Sequence, residues 1–536
     1  SSELIIQAMK FAFVALTTLL LSFGLLAGAS KPNIILILTD DMGFSDISCY
    51  GGEIPTPHLD SLAERGVKLS QFYNATRCCP TRASLLTGLY QHRAGVGGMT
   101  DKKNVPGYQG YINEQSTTIS EVLHESGYFN ILTGKWHVGW EEGVLPWERK
   151  FDRNLCIHAG GLHYSDQTGG RGKRPIFLNQ EEISRDDPRL KENASDPVWY
   201  GTRLWTRYGL KFAEEAIEKE QPFFWYMPYV APHFPCMAPE ETVAKYKGKY
   251  MQGWDKLRQA RIDRQREIGL IDQNWQLSER PDSVAEWDSL SDEEKEQLDY
   301  TMAIYAAMME EVDQAVGRMI TFLKERDQFD NTLFLFMSDN GSSHEGGNLG
   351  QFKVEEGSRP GSGQTDIFVG RCWANLNNAP FRKSKMYSHE GGSASPMIAC
   401  WPDGIAANSD WVTTPAHVID ILPTLAEITG STYPKERNGH EVFACDGVSL
   451  KSLLTGEGDL EPRALYWEHF DCAAIRVGDR KLARMRKWPW ELYDMGQDRT
   501  ETNNLAKQYP EEVEALSNQW KAWANEVGVF PKPGNK

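Results

Sequence analysis

At 536 residues, 40% of them apolar and 11% aromatic, the chain has the composition of a large globular protein rather than a disordered one. Its 57 Lys and Arg stand against 74 Asp and Glu, a formal net charge of −17, which argues against nucleic acid or an anionic membrane surface as a partner. An anionic substrate would therefore need a local cluster of cations.

In chain order, residues 1–8 precede Met9 and read as an upstream extension. Met9-Lys10 opens an apolar stretch from Phe11 to Leu26, and Ala27-Gly28-Ala29 follows as a small-residue cleavage pattern. Cleavage after Ala29 predicts an exported protein, periplasmic or secreted. The apolar stretch is short for a bilayer span of about 20 residues, and no second segment reads as transmembrane. No stable membrane insertion is expected after signal cleavage, and 1–29 are set apart from the fold.

Residues 30–440 alternate strands and helices. Asn33-Ile34-Ile35-Leu36-Ile37-Leu38 is a continuous apolar run, the pattern of a strand buried on both faces, and it ends at Thr39-Asp40-Asp41. A helix is predicted over Thr118 to Ser126, a strand over Tyr128 to Leu132, a helix over Thr202 to Lys219 and a strand over Phe223 to Val230. Glu279 to Lys295 reads as a solvated loop and helix start, and Ser291 to Glu325 contains a long helix. A second apolar strand, Thr332 to Met337, ends at Ser338-Asp339-Asn340-Gly341, and Gly346 to Asn377 reads as a long loop. This alternation predicts an α/β protein with a parallel sheet. Beyond about residue 440, short strands around Ala464 to Trp467, Ala473 to Arg476, Lys481 to Arg484 and Glu491 to Asp494 precede a helix around Glu511 to Val527, which predicts a small α+β unit over 441–536.

Strand ends are where open α/β sheets hold ligands. Asp40 and Asp41 with Asp339 and Asn340 form an all-oxygen set suited to a hard cation, Ca2+ in preference to Mg2+ because Ca2+ accepts more ligands in looser geometry. Taken singly, either pair reads equally as a loop or helix cap. In Thr133-Gly134-Lys135-Trp136-His137, an extended backbone would turn Lys135 and His137 to one side. His233 lies in the proline-fixed Ala231-Pro232-His233-Phe234-Pro235, and Lys385 lies five residues before Glu390-Gly391-Gly392. Alone, such residues are commonly surface groups. Nine cysteines, at 49, 78, 79, 156, 236, 372, 400, 445 and 472, match neither a zinc site nor a small disulfide framework, although export would permit bridges.

The remaining motif is Cys78-Cys79-Pro80-Thr81-Arg82, continuing to Thr87-Gly88. A cysteine by itself is commonly a small buried hydrophobe. The run resembles the signature of type I sulfatases, in which a cysteine followed two positions on by Pro and four on by Arg is oxidised to Cα-formylglycine. The resemblance implies that Cys78 becomes a hydrated aldehyde that attacks the sulfur of a sulfate ester. It implies a metal set of Asp40, Asp41, Asp339, Asn340 and the converted Cys78, with Arg82 polarising the nucleophile. It also implies Lys135 as its holder, His137 as the base that releases sulfate, and His233 and Lys385 as sulfate contacts, with one of them, usually the His, protonating the leaving oxygen. Cys79 lies outside the pattern and reads as structural, and His389 receives no role.

Pro232-His233-Phe234-Pro235, with Tyr246 to Tyr250, Gly253-Trp254 and Arg264, looks like bacterial arylsulfatases. That likeness implies an alkaline-phosphatase-like α/β/α sandwich with a large mixed, mostly parallel sheet, plus a small C-terminal α+β subdomain. It also implies a small-molecule or glycan sulfate ester as substrate and a formylglycine-generating or sulfatase-maturating enzyme as partner. Two rivals stand beside it: a phosphate or phosphonate monoester hydrolase of the same superfamily, and an inactive sulfated-glycan-binding relative, which should lack one of these residues. Deleting any of the cations Arg82, Lys135 or Lys385 is expected to cost rate more than folding. The Gly346 to Asn377 segment, with Trp373 as a stacking surface, and the C-terminal unit are expected to border the pocket.

Overall fold

A computed structural model describes residues 31–169, 174–192 and 197–534. The signal-peptide reading of 1–29 lies outside the described residues. Among the described residues no helix is long and apolar enough to cross a membrane.

The core of the molecule is a mixed sheet. Its strands are β1 (Asn33–Thr39), β2 (Val67–Tyr73), β3 (Phe129–Lys135), β4 (Arg153–Ile157), β5 (Ile176–Leu178), β6 (Glu181–Ile183), β7 (Phe223–Pro228) and β8 (Thr332–Ser338). A hairpin outside the sheet contributes β9 (Gln351–Val354) and β10 (Thr365–Phe368), and the sheet continues with β11 (Ala394–Cys400), β12 (Trp411–Val412) and β13 (Ala416–His417). The order is β12-β2-β11-β8-β1-β7-β3-β4-β5-β6, with β13 also paired to β2. Strands β8, β1, β7, β3 and β4 run parallel, whereas β11 is antiparallel to both its neighbours.

Period-two alternation along β1 explains the layers. Ile35 and Ile37 pack on one face with the helices Pro57–Arg65, Gly201–Glu218 and Asp292–Lys324, while Ile34, Leu36 and Leu38 pack on the other with Cys78–Thr87 and Ile421–Thr429. Both faces are dry, so the strand needs apolar residues at every position, as its sequence has. The result is an α/β/α sandwich. The 33-residue helix Asp292–Lys324 starts at a capping box in which Ser291 and Glu294 satisfy each other's backbone N–H groups.

After a two-stranded ladder of β14 (Glu436–Arg437) and β15 (His440–Glu441), a second antiparallel sheet follows: β16 (Ala464–His469), β17 (Cys472–Val477), β18 (Arg480–Arg484) and β19 (Glu491–Asp494). Ala473, Ile475, Leu482 and Leu492 on one face meet Trp520 and Trp523 of the helix Pro510–Glu526. Leu465, Trp467, Ala474 and Ala483 face the main core instead, and Trp467 Nε1 donates to the Asn74 carbonyl at 2.8 Å, just ahead of Cys78.

Two expectations change. The 346–377 segment is not a plain loop, since it holds the β9–β10 hairpin and the helix Gly370–Asn377. Within it Trp373 is fully buried against Tyr250, Trp254 and Trp287, so it is a core residue and offers no stacking surface. All nine cysteines are free thiols.

Candidate active site

Three parallel strands, β8 and β1 side by side and β3 beyond the intervening β7, deliver their carboxyl ends to one place. Asp40 and Asp41 follow β1, Asp339 and Asn340 follow β8, and Lys135 closes β3. Asp41 adopts φ 67°, so the chain turns directly after the strand and both adjacent carboxylates reach the same buried space. His137 likewise has φ 56° and lies past the end of β3. The simple alternation expected of Lys135 and His137 therefore does not apply; a left-handed turn orients the imidazole.

Cations and carboxylates interlock. Arg82 donates from Nη2 to Asp339 Oδ2 at 2.8 Å and to Asp40 Oδ2 at 3.2 Å, from Nε to Asp339 Oδ2 at 3.1 Å, and from Nη1 to the Lys135 carbonyl at 2.7 Å. Lys135 Nζ donates to Asp40 Oδ2 at 2.6 Å. Lys385 Nζ lies 2.7 and 2.9 Å from the two Asp41 oxygens, and Asn340 Nδ2 donates to Asp41 Oδ1 at 2.7 Å. His233 Nε2 is 3.7 Å from Asp41 Oδ2, while its Nδ1 lies 2.5 Å from the Phe234 carbonyl. A carbonyl only accepts, so Nδ1 carries the proton and Nε2 faces the site.

Cys78 opens the helix Cys78–Thr87 on this cluster. Its thiol is held well below the ordinary range by a hydrogen bond from Cys79, followed by His137 and Lys135. Burial lowers His137 to about 4, so its imidazole is neutral at pH 7. Burial alone would raise Asp40, but Lys135, His233 and Arg82 hold it below the usual carboxylate range. Asp339 moves the other way, pushed up by burial and by the Asp40 charge beside it. Burial lowers His233, and Asp41 keeps Lys385 above its usual value.

The oxygen set fits a hard cation. Asp40 Oδ1 and Asn340 Oδ1 are buried and have no hydrogen-bond partner, an arrangement that ordinarily costs about 1–3 kcal/mol per group. A cation there would satisfy both and let Asp339 ionise beside Asp40. Asp40, Asp41, Asp339 and Asn340 would hold it, all through oxygen.

The candidate catalytic and metal residues Asp40, Asp41, Cys78, Arg82, Lys135, His137, His233, Asp339, Asn340 and Lys385 lie together in this cluster, whereas Trp373 does not. Sequence reasoning missed four others. Cys79, set aside as structural, has its Sγ 3.6 Å from His137 Nε2 and 3.6 Å from Met99 Sδ. Arg77 and Glu345 pair at 3.6 Å beside Cys78 and Lys385, and His163 Nε2 bonds the His233 carbonyl at 2.8 Å. Only Cys79 and Arg77 had a signal, their adjacency to Cys78. His389 is buried and bonds Glu491 at 2.7 Å, fastening β19 to the Glu390 turn. The β9–β10 hairpin reaches the site through Phe368, which stacks on Phe234 at 4.4 Å, and Phe234 stacks on His233 at 4.1 Å.

Comparison with known proteins agrees over nearly the whole chain. The family described as Sulfatase matches residues 32–431. An uncharacterized sulfatase of Schizosaccharomyces pombe is 35% identical, with 96% of this chain and 97% of the relative aligned. The arylsulfatase of Klebsiella aerogenes is 32% identical over 83% of this chain and 97% of its own length. Among solved structures, Ps i-CgsB in complex with k-i-k-neocarrahexaose superposes with a TM-score of 0.68 at 26% identity, covering 95% of each chain.

Proposed function

The chain belongs to the sulfatase family and is a sulfuric ester hydrolase with the alkaline-phosphatase-like fold; from that premise we propose a mechanism with a nucleophile made by oxidation of Cys78 to formylglycine. Hydrated, that group supplies an oxygen nucleophile at a position where the encoded thiol cannot attack sulfur productively. Asp40, Asp41, Asp339, Asn340 and the converted residue 78 would hold a Ca2+ ion, which would supply positive charge to the same site.

The protein's own side chains divide the remaining work. Lys135 and Lys385 bring two ammonium groups to a buried site, where fixed charge acts strongly on a sulfate anion. Arg82 has every nitrogen engaged by Asp40, Asp339 and the Lys135 carbonyl, so it acts by fixing the carboxylates and the end of β3. His233, its Nδ1–H pinned by the Phe234 carbonyl, hands a proton from Nε2 to the leaving oxygen in its doubly protonated form, which the neighbouring Asp41 and Asp40 carboxylates favour against burial. His137, neutral at pH 7, accepts the proton whose removal releases sulfate.

The observation that supports this reading best is the convergence of Cys78, Lys135 and His137 on a buried oxygen set with two unpaired oxygens. Substrates in this reading are aryl sulfates or sulfated carbohydrates, and the neocarrahexaose bound by Ps i-CgsB favours the latter. The reading includes export to the periplasm or outside the cell, a maturation enzyme acting on Cys78, and a division near residue 440 into a catalytic unit and a C-terminal subdomain. Parallel assays on an aryl sulfate and the matching aryl phosphate test it. We expect sulfate hydrolysis to dominate and Cys78→Ala to abolish it; dominant phosphate hydrolysis would favour the phosphomonoesterase alternative.

A further inference from the structure

Cys79 has no part in the mechanism above; it is fully buried at the edge of the apolar core, and its thiol also meets polarisable groups. Its sulfur lies 3.6 Å from both His137 Nε2 and Met99 Sδ. Cys78 Sγ, Cys79 Sγ and one His137 ring nitrogen all lie within 4.8 Å of one another. A tetrahedral zinc centre with Zn–S of about 2.3 Å and Zn–N of about 2.0–2.1 Å separates sulfur from nitrogen by roughly 3.6 Å and two sulfurs by roughly 3.8 Å. The Cys79–His137 separation of 3.6 Å already equals the sulfur–nitrogen spacing of such a centre, and the remaining pairs, within 4.8 Å, need to close by at most about 1 Å.

We propose that the chain in its encoded cysteine form binds one thiophilic cation such as Zn2+ between Cys78 Sγ, Cys79 Sγ and His137 Nε2, and that this site is lost when Cys78 is oxidised. The donor chemistry separates it from the neighbouring carboxylate set, because thiolate and imidazole select soft and borderline ions while carboxylates select hard ones. Binding releases any proton still held by either sulfur, and the two thiolates balance a divalent charge. His137 Nδ1 is buried without a hydrogen-bond partner, so it can carry the ring proton while Nε2 ligates. Cys78 and His137 are both buried, so an ion held between them would be largely shielded from water. The consequence is regulatory: an unconverted molecule is occupied by a soft metal, and a converted one retains only two of the three ligands. The inference rests on the encoded cysteines and not on the oxidation proposed above.

The test uses the full-length unconverted protein with Cys49→Ser and Cys445→Ser, which remove the two partly exposed thiols, in excess Ca2+ so that the carboxylate set is not available to zinc. Titration with Zn2+ is expected to show one equivalent bound, and Co2+ is expected to give thiolate charge-transfer absorption of two-sulfur intensity. Cys79→Ser, Cys78→Ala and His137→Gln should each weaken binding at least 100-fold with unchanged circular dichroism. Co2+ bound without thiolate absorption, or Zn2+ affinity unaffected by Cys79→Ser, would overturn the proposal. The Co2+ spectrum is read on the wild-type site, so a variant that fails to fold does not remove the test. Neither readout measures hydrolysis, so failure here leaves the sulfatase mechanism standing.

Discussion

Arg82 Nη2 and Asp339 Oδ2 lie 2.8 Å apart with neither side chain exposed to solvent. The same guanidinium reaches Asp40, so one buried cation neutralises carboxylates from two strand ends. Removing one partner of a buried ion pair leaves an uncompensated charge and costs about 3–5 kcal/mol. Arg82→Ala should therefore lower stability by that order as well as abolish turnover, as read in a urea melt. This adds a stability cost to the expected loss of rate; an Arg82→Ala protein as stable as wild type would contradict the added cost.

Lys385 differs because its two short contacts are to Asp41 alone and Glu345 is 3.7 Å away. Lys385→Ala is expected to reduce kcat/KM for an aryl sulfate about 10²–10³-fold, the scale of losing one preorganised charge, with a stability loss no larger than that of Arg82→Ala because one carboxylate rather than two loses its partner. Lys385→Arg should not restore the rate, because a planar fork cannot reproduce a compact ammonium at 2.7 Å. Steady-state kinetics with a melting control checks both.

The two unpaired oxygens, Asp40 Oδ1 and Asn340 Oδ1, predict a metal-dependent melting temperature. Ca2+ at 100 times its Kd should add about 2.7 kcal/mol, and chelation should remove it. Asn340→Ala should diminish the shift. Superimposable melts with Ca2+ and with chelator would argue against an ion at this position.

Acid stability follows from the contact between the two sheets. Burial alone would raise Glu390, but Lys481 at 2.7 Å and Arg499 at 2.7 Å hold it at about 2, against an ordinary value of 4.5. Glu468, similarly buried between His92 and Lys532, is also held at about 2. For depressed carboxyls the stabilisation is fully present above about pH 4.5 and is lost as pH falls towards 2. Urea unfolding at pH 6 and pH 3 should show a fall on the order of 2–3 kcal/mol for Glu390 alone. In Glu390→Gln the fall should shrink; an unchanged pH dependence would contradict the assignment.

Much of this site was legible because its residues sit at strand ends that the sequence marks strongly. An apolar run followed by Asp40-Asp41, and another followed by Asp339-Asn340, fix both the strand and the place where it stops. The orientation of His137 was not legible, since a left-handed backbone at a non-glycine residue leaves no mark in hydrophobic periodicity. Trp373 was misjudged for a related reason. Its surroundings in sequence are rich in Gly and Ser, but its partners Tyr250, Trp254 and Trp287 come from a distant segment. Cys79 was legible as a residue but not as a neighbour of His137, because that contact joins a helix start to the turn after β3.

The central claim, that residue 78 acts as an oxidised cysteine, is tested most directly by peptide mass spectrometry across Cys78 on preparations of graded specific activity. Conversion of the thiol to the aldehyde removes roughly 18 Da. We predict that activity rises in proportion to the fraction of the lighter peptide and falls to zero without it. Full sulfate ester hydrolysis by a preparation in which Cys78 is wholly an unmodified thiol would contradict the account.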